Sequence, residues 1–317
     1  MFANTIAMNS TNVRKSMALT WHRLGFAVTG ALAPERAVAA AMRIFSTPPR
    51  FAHTEREREM LATAKRFEID SPVGRLAAWR YGDPARPAVV LSHGWGGRGA
   101  QLAAFAPAFL QAGYQVVTFD HAAHGSSEGR EASLVHFMRG LDAVVRHVES
   151  GGAPVAGIVG HSLGAAAAGA WLNENARAMR VVLVAPPTSV ARWSRFMAHR
   201  MGIAEPVRRA MQERFERRYG YRWDAFELPR SVANVKASAL VIHDEGDRDV
   251  SFASGLALAR AWPGARLVAT RGLGHNRILR APEVIADAVD FVAGRVVFAP
   301  PPARGELSAY REPAPIA

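Results

Sequence analysis

With 317 residues, 49% of them hydrophobic and 21% charged, the chain can build a sizeable core, which excludes wholesale disorder and leaves one large α/β domain with an insertion or two small domains. It has no cysteine, which excludes disulfides, thiolate metal sites and a cysteine nucleophile together. Lys and Arg number 39 against 27 Asp and Glu, a net +12, but the arginines are scattered and form no basic stripe interleaved with aromatics, so solvated surface is expected and not a nucleic-acid partner.

The first fifty residues differ from the rest. Met17 to Ala33 is mostly apolar after Arg14 and Lys15, a pattern that suggests a secretory signal ending at Ala31-Leu32-Ala33. His22 and Arg23 interrupt it, Pro34 would follow the cut, and the run is shorter than the ~20 apolar residues of a spanning helix. Two amphipathic helices, roughly 13 to 31 and 35 to 45, fit better, with Pro34 at a first-turn position. They either pack on the domain or lie on a membrane surface. A cytoplasmic protein is expected, with membrane association or export left open by this segment.

Pro48-Pro49 breaks the chain, and Thr54 to Ala64 reads as a charged helix. Lys65 to Asp70 and Arg75 to Tyr81 alternate apolar and polar residues around Ser71-Pro72-Val73-Gly74, which predicts an antiparallel hairpin. From Ala88 the pattern changes to short apolar runs, at 88–91, 115–119, 155–159, 181–184, 239–242 and 266–269, each suited to a strand buried on both faces. Helical stretches at 100–111, 133–149, 163–177, 252–262 and 282–292 alternate with them. Such alternation implies right-handed crossovers and a mostly parallel sheet with helices on both faces, whose ligands belong at the carboxyl ends of the strands. No linker interrupts residues 65 to 295, so one core, 65–186 with 236–295, is expected. Residues 187–235 are too long for a crossover and rich in aromatics and arginine. Both a helical lid over the strand ends and a satellite core with no part in binding explain them. Residues 298–317 are proline-rich and predicted to be a flexible tail.

Gly160-His161-Ser162-Leu163-Gly164 lies between an apolar β-branched run and an alanine-rich one, and so reads as strand, sharp turn and helix. A serine at such a tip is held in strained geometry at the positive end of a helix, and the glycines let strand and helix approach. Attack on an ester or amide carbonyl also requires a base, a group to orient it, and donors for the developing oxyanion. His93-Gly94-Trp95-Gly96-Gly97 follows a predicted strand, and the N–H groups of Trp95 and Leu163 would form the oxyanion hole. His243 to Val250 follows another and is crowded with carboxylates. Asp247 is the first choice to orient the base, Asp249 the second, and Asp244 fits a turn residue. His275, between a glycine turn and a helix, completes the chain order serine, acid, histidine. Trp95 and His161 are the substrate-binding candidates. The ring of His161, like those of His93, His121 and His124, lies beside a glycine turn where bonding to backbone is the simpler role. No metal or cofactor is expected.

HGWGG at 93–97, FDHAAHGSSEG at 119–129, GHSLG at 160–164, HDEGDRDV at 243–250 and GLGHNRIL at 272–279 resemble, in order, the motifs of the α/β-hydrolase family. The resemblance covers about Lys65 to Val292 and not the first fifty residues. It implies an α/β-hydrolase fold with an eight-stranded, mostly parallel sheet, a lid inserted after the sixth strand, and cofactor-free hydrolysis through an acyl-enzyme. It implies Ser162 as nucleophile, His275 as base and Asp247, three residues before Val250, as acid. It also implies a structural turn after the fourth strand, with Asp120 bonding backbone. Serine at 162 argues against the branches that form an alkyl ester on a carboxylate, and leaves acyl transfer. Cleavage of small carboxylic esters or thioesters is the leading expectation. Peptidase or acyltransferase chemistry on the same residues, or a silent ligand-binding protein, are the alternatives.

Overall fold

The computed structural model describes residues 24–26 and 28–295. The beginning of the first expected helix and the whole tail at 298–317 lie outside them. The chain divides into two compact units, Met1–Phe45 with Ser189–Asp224, and Ser46–Thr188 with Ala225–Ala317.

The larger unit is built on one eight-stranded sheet: β1 (Lys65–Ile69), β2 (Leu76–Tyr81), β3 (Ala88–Ser92), β4 (Gln115–Phe119), β5 (Val155–His161), β6 (Arg180–Val184), β7 (Ser238–Asp244) and β8 (Arg266–Thr270). The helices, in chain order through both units, are α1 (Pro34–Ser46), α2 (Glu55–Ala62), α3 (Ala106–Gln111), α4 (Leu134–Ser150), α5 (Leu163–Asn175), α6 (Val190–Met201), α7 (Glu205–Tyr219), α8 (Leu228–Ser231), α9 (Phe252–Ala261), α10 (Gly274–Arg277) and α11 (Pro282–Ala293). The strands run in the order β1-β2-β4-β3-β5-β6-β7-β8. β1–β2 and β2–β4 pair antiparallel, and every pair from β4 to β8 is parallel. The expected hairpin and all six expected strands are thus present, but the sixth, β8, is not buried on both faces as its apolar run predicts. β3 and β7 each carry three consecutive Val, Ile or Leu residues, Val89–Leu91 and Leu240–Ile242, and every residue of β3 and β4 is buried, as expected of strands covered on both faces. β8, at the sheet edge, has no fully buried residue.

Local signals set the helix starts. Ser133 accepts from the His136 N–H at the head of α4, and Thr54 with Glu57 forms a reciprocal capping box on α2. The same Glu57 reaches across to the loop after β3, where its carboxylate takes two bonds from the Arg98 guanidinium, at 2.8 and 3.0 Å. Both side chains are under 10% exposed. Burial pushes the Glu57 carboxyl up, but bonding to Arg98 and Thr54 outweighs it and leaves the group below its ordinary range.

The smaller unit gathers the described N-terminal residues and most of the inserted stretch around Phe26, Val38, Ala41, Ile203, Val207 and Met211. Within it Arg214 bonds Glu35 at 2.6 Å, joining α7 to α1, and the buried Arg208 is held by Glu205 and by Ser194 of α6. Residues 225–235, read from sequence with the insertion, go with the larger unit, because Leu228 is buried there and packs on Gly169 of α5. Among the described residues no helix is long and apolar enough to cross a membrane.

Removing one partner of the Glu57–Arg98 pair strands a buried charge. Arg98→Ala is therefore expected to lower the unfolding free energy by about 3–5 kcal/mol, and Glu57→Leu/Arg98→Met to recover most of that loss. Urea titrations of the three proteins check this.

Candidate active site

The turn between β5 and α5 carries Ser162 at φ 51°, a left-handed conformation that a residue with a side chain adopts only under strain. Close packing imposes it. A Cβ on Gly164 would stand 2.3 Å from the Ser92 carbonyl oxygen and 2.4 Å from that of His93, and one on Gly160 would meet the Ala165 Cα at 2.7 Å. Gly94 faces the serine directly, since a Cβ there would lie 2.8 Å from Ser162 Cβ and 3.4 Å from its Oγ. The loop after β3 and the turn after β5 thus touch, and the hydroxyl sits where they meet. The Ser162 side chain makes no capping bond to α5, so its hydroxyl is not spent on the helix it precedes.

The loop 93–97 is held by neutral histidines. His93 Nδ1–H donates to the Gly94 carbonyl at 2.7 Å while its Nε2 accepts from the His121 N–H at 2.9 Å. His124 Nε2 accepts from the Gly96 N–H at 3.0 Å, and its Nδ1–H donates to the Ala122 carbonyl. The Gly97 N–H closes a turn on the Gly94 carbonyl. Among the described residues these bonds engage Gly96 and Gly97 but not the Trp95 N–H, and the Leu163 N–H, in the first turn of α5, has no carbonyl four residues back within the helix. Burial drives His93 and His121 well below the usual histidine range and lowers His124 to about 4. Asp120 takes the structural role expected of it: its carboxylate accepts from the Gly99 and Ser126 N–H groups at 2.8 and 2.7 Å.

After β7, Asp247 is buried and accepts three hydrogen bonds. Oδ1 accepts from the Asp249 and Val250 N–H groups, at 2.8 and 2.9 Å. Oδ2 accepts from His275 Nδ1 at 2.7 Å, and His243 Nε2, whose N–H donates to the Val250 carbonyl at 3.0 Å, lies 3.4 Å away. Burial alone pushes the carboxyl up, but the adjacent His243 ring and the bonds from His275 and the Val250 N–H hold it well below the usual carboxylate range. With Nδ1–H donated to Asp247, Nε2 of His275 is the nitrogen left to take a proton.

Asp244 completes the support. It accepts from the Gly246 N–H, the Thr270 hydroxyl and the Leu273 N–H, which ties the turn after β8, and the histidine on it, to the end of β7. His161 Nε2–H donates to the His275 carbonyl at 2.9 Å, with the two rings 4.7 Å apart. Its ring is only 4% exposed, and burial beside His275 lowers it to about 3. His161 is therefore placed to hold His275, whereas Trp95, the other residue expected to meet substrate, is half-buried. His243 was not separated from its motif by sequence reasoning. Its position at a strand end, four residues before the acid, is the signal that marks it. Asp249 reaches the site through its N–H, not as the orienting carboxylate. Asp247, Asp249 and His275 bring three possible ligand atoms within 4.8 Å of one another, but the lone pairs of Asp247 are already directed at N–H donors, which fits acid–base work better than metal binding.

Two consequences are open to measurement. Gly164→Ala drives a methyl into two carbonyl oxygens, so it is expected to cost more than the roughly 1–3 kcal/mol of ordinary overpacking, seen as a lowered Tm or loss of soluble protein. For His124 the unfolded chain binds a proton near the ordinary 6.5 and the folded chain only near 4. Stability is therefore complete above about pH 6.5 and lost as pH falls toward 4, at about 1.4 kcal/mol per pH unit for this one histidine. Unfolding titrations should show that slope, steepened by His93 and His121, and His124→Gln should remove one proton's share.

The sequence matches the family described as Hydrolase_4, serine aminopeptidase, S33, over residues 83–245, just over half of the chain. No curated protein is a significant match. Among solved structures, the Pyrococcus furiosus esterase Pf2001 superposes with a TM-score of 0.60 at 20% identity, covering 78% of this chain and 98% of its own. Est1E from Butyrivibrio proteoclasticus gives 0.56 at 14% identity over 73% and 98%, and a structure of it holds ferulic acid. A putative lipase from Acinetobacter baumannii gives 0.58 at 16% identity over 76% and 94%. These likenesses agree with the eight-stranded sheet and its order, and with the match over residues 83–245 they establish that the chain belongs to the α/β-hydrolase family.

Proposed function

We propose that the protein is a serine hydrolase that cleaves small carboxylic esters or thioesters, with Ser162 as nucleophile, His275 as base and Asp247 as the acid that orients it. The observation that carries this reading is the 2.7 Å bond from His275 Nδ1 to a buried, anionic Asp247 at the end of the sheet where Ser162 is held at φ 51°. His275 Nε2 takes the proton as Ser162 Oγ attacks the carbonyl. The tetrahedral oxyanion is received by the N–H groups of Trp95 and Leu163, aided by the positive end of α5. Collapse breaks the bond to the leaving alcohol, which takes the proton back from His275, and water then repeats the cycle on the acyl-enzyme. Asp247 stays ionised throughout and stabilises the imidazolium.

The family's description as a serine aminopeptidase favours one second reading, hydrolysis of an aminoacyl amide at the same residues. Rates on nitrophenyl esters against aminoacyl arylamides separate the two.

A fluorophosphonate probe is expected to label the wild type and not Ser162→Ala. Asp247→Asn should keep the fold and lower kcat by about 10⁴-fold, because the amide turns the histidine to the wrong tautomer. Undiminished labelling of Ser162→Ala would refute the nucleophile.

A further inference from the structure

The positive charge of the chain is concentrated in the smaller unit. Residues 1–45 and 189–224 hold 14 Lys and Arg against 5 Asp and Glu, a net +9, while the other 236 residues hold 25 against 22, a net +3. On α7 most arginines have carboxylate partners: Arg208 and Arg209 on Glu205, Arg214 on Glu35, Arg217 on Glu213. α6 carries Arg195 and Arg200 and has no acidic residue in its twelve.

The same unit exposes most of the large apolar side chains found at the surface. Of seven among the described residues, five belong to it: Leu24, Val28, Leu32, Trp193 and Phe196. They are ordered by helix geometry. Trp193 and Phe196, three apart on α6, are 41% and 42% exposed, while Ser194 and Ala198 are the residues that α6 buries. The Phe45 ring packs edge-on against Trp193 at 5.2 Å, and the Arg200 guanidinium stands 5.7 Å from the Phe196 ring centroid. In the helical residues 24–26 and 28–32, Leu24, Val28 and Leu32 follow at four-residue steps and are 55%, 49% and 81% exposed, while Phe26 is buried and Gly30 lies against Val207 of α7.

We propose that the smaller unit docks on an anionic lipid surface, with Trp193 and Phe196 of α6 and the Leu24–Val28–Leu32 row entering the interface and Arg195 and Arg200 of α6 meeting the headgroups. Three features select this occupant. A second copy of the chain would bring one net-positive unit against another. A nucleic-acid backbone would meet the arginines but has no use for an aliphatic row. Anionic lipid accepts both, since tryptophan and phenylalanine favour the headgroup level, aliphatic side chains the acyl boundary, and each basic residue near the surface adds attraction. The proposal is independent of the catalytic reading, because protein carrying Ser162→Ala serves equally well for binding.

The test is co-sedimentation of the full chain with phosphatidylcholine vesicles made with and without phosphatidylserine. Sedimentation is expected only with phosphatidylserine, and to weaken as salt is raised. Arg195→Glu/Arg200→Glu should reduce binding by at least about tenfold, and Trp193→Ala/Phe196→Ala should reduce it at low salt, both with the far-ultraviolet circular dichroism of the wild type. Equal binding to both vesicle types, or no binding to either, overturns the proposal. So does binding to duplex DNA with none to vesicles, or variants that leave vesicle binding intact and instead raise KM for a soluble ester.

Discussion

The arrangement around the candidate site depends on one buried negative charge, the carboxylate of Asp247. Burial of a carboxylate disfavours its charged form, and an unpartnered one would take a proton and lose its hold on the histidine. The chain prevents this with donors from two places, the backbone of its own turn at Asp249 and Val250 and the loop after β8 through His275, and with the His243 ring at the end of β7, 3.4 Å away. Each donor that keeps the charge also fixes the geometry. Asp244, three residues earlier, does for the loop what Asp247 does for the ring, since its bonds to Thr270 and Leu273 set where that loop leaves the sheet. Stability of the β7–β8 end and orientation of His275 are therefore one property.

A steric constraint governs the other half of the site. Gly94, Gly160 and Gly164 lie where loop, strand and helix come closer than any side chain allows, and the left-handed Ser162 results from that contact. The buried histidines around loop 93–97 complete the arrangement because they are neutral. Nε2 of His93 and of His124 accepts a backbone N–H, and a proton there would turn the acceptor into a second donor facing the first. Burial removes that threat at ordinary pH. The loop is thus fastened at Gly94, Gly96 and Gly97 by groups that compete neither for a proton nor for the Trp95 N–H.

What could be read from the sequence divides along the same physical line. The sheet was legible because strands buried on both faces must be continuous apolar runs, and the runs beginning at Ala88, Gln115 and Val155 start where β3, β4 and β5 start. The motifs led to a sharp turn at Ser162 and to a pairing of Asp247 with His275, and the structure holds the serine at φ 51° and the pair at 2.7 Å. The supporting residues were not legible. His161 and His243 each stand beside a residue of stronger signal, and nothing local tells whether an imidazole faces substrate, solvent or a carbonyl 114 residues away. Residues 225–235 were read with the insertion because the stretch from 187 to 235 is too long for a crossover, whereas in the structure they group with the larger unit, where Leu228 is buried against α5. Composition reports solubility of a stretch; packing reports which core it joins.

Charge placement also separates surface that exists for solubility from surface that meets something. Arginines needed only for hydration are most cheaply placed among acids three or four residues away, as on α7, where pairing limits self-repulsion. α6 precedes it in the same unit and departs from that rule, carrying Arg195 and Arg200 on a helix with no acidic residue, beside two aromatic rings that are about 40% exposed. Like charges on one short helix repel, and the exposed part of each ring forgoes the stabilisation of burial, costs that the packing of Phe45 on Trp193 and of Arg200 on Phe196 offsets only in part. A partner outside the helix that neutralises the guanidinium groups and covers the rings would remove the remainder. The same reasoning explains why the larger unit, nearly balanced at 25 basic against 22 acidic residues, directs its buried charges inward to Asp247, Asp120 and the Glu57–Arg98 pair.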